Sequence, residues 1–88
     1  MFPDTLDNAQ VLYFTPRGDY GIRTLTDGNE WFRVCYLAIC KYGNSQEYYL
    51  FECNEDYGVE SDYSCDSAEE CMELGKSLCG CGIDWLYK

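Results

Sequence analysis

Residues 30–41 read E-W-F-R-V-C-Y-L-A-I-C-K, the longest apolar run in the chain. With a period of two, Trp31, Arg33, Cys35, Leu37 and Ile39 point one way and Phe32, Val34, Tyr36, Ala38 and Cys40 point the other. Both sets are largely apolar, so a strand built from them needs cover on both faces and belongs at the centre of a sheet. Trp, Phe, Val, Tyr and Ile together favour strand over the competing helix. Glu30 to Lys41 is therefore predicted as one central strand, and the rest of the chain must supply its neighbours and its cover.

The flanking sequence offers those neighbours. Gln10 to Thr15 is rich in β-branched and aromatic residues and reads as a strand. Pro16-Arg17-Gly18-Asp19 is a turn by composition, and Tyr20 to Thr26 is a second strand. Asp27-Gly28 is a two-residue hairpin signal, with Gly accepting positive φ. After a turn at Gly43-Asn44, Gln46 to Cys53 forms another strand, in which Tyr49, Phe51 and Cys53 alternate with Tyr48, Leu50 and Glu52. Met1 to Ala9 is predicted as an irregular lead-in. Asn54 to Asp66 shows neither a strand nor a helix period and is predicted as a long loop, of a length usually reserved for function.

One helix is clear. Ser67, with Glu70 three residues on, makes a capping box. Ala68, Cys71, Met72, Leu74, Gly75, Leu78 and Cys79 fall on one broad stripe, with Glu69, Glu70, Glu73, Lys76 and Ser77 opposite. Gly75 within the stripe is expected to let the helix approach the sheet closely. Gly80 is the left-handed stop. Ile83 to Tyr87 is a short last strand. The expected fold is α+β: an antiparallel sheet of four to five strands packed on one helix in the C-terminal half, in a single domain of 88 residues.

Charge is distributed very unevenly. Residues 1–44 carry five acids against four bases, whereas residues 45–88 carry eleven acids against Lys76 and Lys88. Within Glu52 to Glu73 lie nine carboxylates (Glu52, Glu55, Asp56, Glu60, Asp62, Asp66, Glu69, Glu70 and Glu73) and no Lys or Arg. Like charges at this density repel and work against compaction, and a cationic partner would relieve them. A field of this sign disfavours direct binding to nucleic acid or to an anionic membrane, and it favours a basic protein surface or a metal cation. No stretch approaches the ~18 apolar residues of a membrane span, and no leader pattern opens the chain, so a cytoplasmic location is expected.

Catalytic and metal signatures are weak. There are seven Cys and no His, so a reactive thiol has no imidazole to activate it. Cys65, Cys71, Cys79 and Cys81 are separated by five, seven and one residues, which are not the knuckle spacings of a structural zinc site. Asp62, Ser64, Asp66, Glu70 and Glu73 follow part of a calcium-loop count, but Ser67 stands where that loop requires Gly. There is no phosphate-binding glycine loop. No cofactor and no enzymatic activity are expected.

Recognition of another protein remains. In that reading Glu55, Asp56, Glu60, Asp62, Glu69 and Glu73 meet Lys or Arg on a partner, and Tyr57 and Tyr63 anchor the contact. In size, charge, the Glu52–Glu73 run and a small strand-rich plan, the chain resembles the acidic inhibitors encoded by phages and mobile elements, namely anti-CRISPR proteins and DNA mimics. The resemblance implies a stoichiometric blocker of a nucleic-acid-binding complex such as a bacterial defence nuclease, and it implies no residue roles. Two alternatives stand beside it. One is a small metal- or redox-responsive protein using Cys65, Cys71, Cys79 and Cys81. The other is a disulfide-stapled extracellular module.

Overall fold

In the computed structural model, which describes residues 2–88, the apolar run is broken rather than continuous. It divides into β4 (Glu30–Arg33) and β5 (Tyr36–Lys41), with Val34 and Cys35 between them. The cause lies in the pairing. The Val34 N–H donates to the Gly21 carbonyl, whereas the next N–H, that of Cys35, donates to the Cys53 carbonyl. The chain changes partner at that point. β4 pairs with β3 (Ile22–Thr24) in a separate two-stranded ribbon, while β5 enters the main sheet. Cover on both faces holds for β5, whose first five residues are buried. It fails for β4, where Trp31 is half exposed.

The main sheet is antiparallel and runs β1 (Thr5–Leu6), β2 (Ala9–Phe14), β5, β6 (Tyr48–Cys53), β7 (Val59–Cys65). The predicted lead-in thus contains a strand. Asp7 and Asn8 both take left-handed φ, 47° and 68°, and make the tight two-residue turn that folds β1 back on β2. A last strand, β8 (Leu86–Tyr87), is shorter than expected and pairs with the far end of β2. The larger correction concerns Asn54 to Asp66. Most of this stretch is β7, seven residues long and paired with β6 from Tyr48↔Cys65 to Cys53↔Val59. The loop proper is only the hairpin turn between them.

The α+β plan is as expected: this curled antiparallel sheet with one helix, α1 (Ala68–Cys79), in the C-terminal half. Ser67 Oγ accepts from the Glu70 N–H at 3.2 Å, and Gly80 ends the helix at φ 68°. The reciprocal arm of the capping box reaches one residue further back than predicted, since the Glu70 carboxylate accepts from the Asp66 N–H at 3.0 Å.

The sheet buries both faces. On one, Leu37, Ile39 and Leu50 pack beneath Cys71, Met72 and Leu78 of the helix, with Ile83 and Trp85 alongside. On the other, Tyr36, Ala38, Cys40, Phe51 and Cys53 cluster with Phe2, Leu6 and Val11. Gly75 is buried, but a β-carbon there would sit 3.4 Å from Ile83 Cδ1 and Trp85 Cζ2 and 3.7 Å from Leu37 Cδ1. These are ordinary contacts, so helix–sheet clearance does not require glycine. Gly75→Ala is expected to be neutral or to stabilise by up to about 1 kcal/mol through helix propensity, read as an unchanged or raised thermal midpoint.

Thr15 extends the pairing of β2 with β5 by an unusual route. Its N–H donates to the Leu37 carbonyl at 3.0 Å, while its Oγ1, rather than its carbonyl, accepts from the Leu37 N–H at 3.0 Å. Thr15 is fully buried. Thr15→Val keeps the shape and leaves a buried N–H without an acceptor. It is expected to cost about 1–3 kcal/mol in a denaturant titration, and Thr15→Ser much less.

Candidate functional site

The acidic stretch comprises β6's last residues, a hairpin turn, β7 and the first half of α1. Its local geometry follows from Asn54. The Asn54 side-chain oxygen accepts from the N–H groups of Asp56 (2.8 Å) and Gly58 (2.9 Å), and the Asn54 N–H donates to the Gly58 carbonyl (2.9 Å). That closes a five-residue turn, 54–58, with Glu55 and Asp56 exposed at its tip. Tyr57 takes φ 64° there, an uncommon conformation for a bulky residue. Aromatic packing holds it: its ring stacks on Tyr36 at 4.5 Å and meets the edge of Phe2 at 5.2 Å. A hydrogen bond with Tyr36, and then partial burial, raises the Tyr57 hydroxyl above the usual phenol range.

β7 is the edge of the main sheet, with β6 on its inner side. Burial alternates along it: Glu60, Asp62 and Ser64 are exposed, and Ser61, Tyr63 and Cys65 are half-buried. Asp62 sits opposite Phe51 and so on the face away from the helix. Tyr63 sits opposite Leu50, beneath the helix, and its hydroxyl lies 3.5 Å from Glu52 Oε1. The two predicted anchors are therefore engaged within the fold. Tyr57 fixes the hairpin turn and Tyr63 fixes the underside of the edge strand, so both hold the backbone that carries the acids rather than presenting a free ring.

The nine carboxylates fall into distinct environments. Glu52 is fully buried and paired with Arg23, whose Nε donates to Oε1 at 3.1 Å while Nη2 donates to Oε2. That bond, and secondarily the Glu52 charge, raises the Arg23 guanidinium further above its usual value against the opposing effect of burial. Glu70 caps the helix. Glu55 lies 3.5 Å from Arg17 in an exposed pair of little energetic weight. Asp56, Glu60, Asp62, Asp66, Glu69 and Glu73 are exposed, and none has a cation within salt-bridge distance among the described residues. They do not share one flat face. Asp62 lies on the side of the sheet away from the helix, and Glu69 and Glu73 on the solvent side of the helix across the sheet, so the acidic surface wraps around the β7 edge.

Sequence reasoning grouped Glu52 with the acidic surface and did not find its pairing with Arg23. The sign available was that Glu52 alternates in phase with Tyr48 and Leu50, and so lies on an inward face. Among the described residues, no group of three or more His, Cys, Asp or Glu side chains is placed to hold a metal ion. No helix among the described residues is long and apolar enough to cross a membrane. The cysteines are all free thiols. No family model, curated protein or solved structure matches the chain.

Proposed function

We propose that the protein binds a basic, nucleic-acid-binding surface on another protein, such as the channel of a bacterial defence nuclease, and blocks it stoichiometrically. The observation that supports this reading is the set of six exposed carboxylates around the β7 edge that have no cationic partner among the described residues. Self-repulsion of this kind opposes folding, and a Lys- and Arg-rich surface would neutralise it while speeding encounter. Asp56 at the hairpin tip, Glu60 and Asp62 on the edge strand, and Glu69 and Glu73 on the helix would meet the partner's cations. Glu55 would exchange its weak pairing with Arg17 for a partner cation. Acids carried on both sides of a strand edge also suit a groove shaped to receive a polyanionic strand.

The test uses immobilised protein and basic proteins retained on heparin, applied at low and at high salt and in the presence of duplex DNA. The reading expects capture that falls steeply with salt and is competed by the DNA. Capture insensitive to both salt and DNA would contradict it.

A further inference from the structure

The C-terminal end of α1 carries a second feature, unrelated to the acidic edge. Gly80 sits at φ 68° and donates its N–H to the Lys76 carbonyl at 2.9 Å, so the chain reverses sharply between Cys79 and Cys81. The reversal brings their sulfurs to 2.9 Å, within hydrogen-bonding contact. Cys81 is exposed and Cys79 half-buried. The other thiols are placed differently. Cys35, Cys40, Cys53 and Cys71 are buried, and Cys65 is half-buried. Burial pushes the Cys40 and Cys53 thiols up to about 12, which removes them from thiolate chemistry.

We propose that Cys79 and Cys81 form a dithiol site that exchanges with small-molecule disulfides and closes reversibly into an internal Cys79–Cys81 disulfide. Cys81, the accessible sulfur, gives its proton to solvent and attacks one sulfur of the disulfide. A mixed disulfide forms, and the first leaving thiolate takes up a proton. Cys79 Sγ, already in contact with Cys81 Sγ, then loses its proton and attacks Cys81, releasing the second thiolate, which is protonated in turn. The two protein thiols are oxidised and one disulfide is reduced to two thiols. The hydrogen bond with Cys79, and secondarily a partial loss of hydration, holds the Cys81 thiol above its ordinary value. A raised thiol lowers the thiolate fraction, so the test reads equilibrium rather than rate.

The whole protein, fully reduced, is equilibrated in glutathione buffers of increasing oxidised fraction, quenched with acid, alkylated under denaturing conditions and cleaved with trypsin. Cleavage after Lys76 releases residues 77–88, which contain Cys79 and Cys81 and no other thiol. The expected result is that this peptide loses both alkylation sites together, with a mass lower by two hydrogens than that of its reduced, unalkylated form, and regains them when reductant is added. Cys79→Ser is expected to trap a single glutathione on Cys81 that the wild type does not retain. Cys81→Ser, at an exposed position, abolishes closure. The proposal is overturned if the wild type keeps glutathione on either sulfur independently, if either sulfur bonds instead to Cys65 or to a second chain, or if the peptide stays fully alkylated in the most oxidising buffer.

Discussion

Replacing Arg23 with Ala is expected to destabilise the protein by about 3–5 kcal/mol, because it strands a carboxylate inside the fold. Glu52 has no solvent exposure, and Arg23 is about one-fifth exposed. The pair joins two parts of the structure: Arg23 lies on the β3–β4 ribbon and Glu52 on β6 of the main sheet. The variant leaves Glu52 with only the Tyr63 hydroxyl, at 3.5 Å. A domain of this size has roughly 5–15 kcal/mol of net stability, so the loss is a large share of the whole. The double replacement Arg23→Met with Glu52→Leu separates causes. If the damage comes from the uncompensated charge, the apolar pair restores most of the stability. Equilibrium denaturation of the three proteins measures this, and a loss below about 1 kcal/mol in Arg23→Ala would show that the pair does not hold ribbon to sheet.

Phe2→Ala should be comparably damaging, at about 3–5 kcal/mol. Phe2 is buried, stacks on Phe14 at 4.7 Å and meets Tyr36 and Tyr57 edge-on at 5.7 and 5.2 Å. Its removal opens a cavity in the layer that covers the helix-free face of the sheet. It also loosens Tyr57, whose left-handed backbone depends on ring packing to persist. The variant should therefore lose both thermal stability and hydrogen-exchange protection in the turn between β6 and β7. Protection there that stays at wild-type level despite lower overall stability would mean that Asn54 alone holds the turn.

The sequence was most informative where packing is strongest. The α1 boundaries were legible because Ser67, the apolar stripe and Gly80 agree with one another. The β5 and β6 segments were legible because alternation and β-branched or aromatic residues coincide. β7 was hidden by its position. An edge strand needs only partial cover, and Val59-Glu60-Ser61-Asp62-Tyr63-Ser64-Cys65 places Ser61 among its covered residues, so the apolar alternation is diluted. The break at Val34–Cys35 was hidden for the opposite reason. Both residues are buried, and nothing in their side chains records that the backbone exchanges one partner strand for another. The acidic run was visible as composition, but its wrapping around an edge needed the register of Asp62 opposite Phe51.

The central claim is that the unpaired carboxylates around the β7 edge exist for a cationic surface. Its most direct test is the simultaneous reversal of Asp56, Glu60 and Asp62 to Lys, assayed for capture of the basic partner at low salt. All three are exposed and have no cationic partner among the described residues, so the far-ultraviolet spectrum should not change. The account predicts that capture is lost in this variant while the fold is kept. Undiminished capture by a folded triple-lysine protein would contradict it.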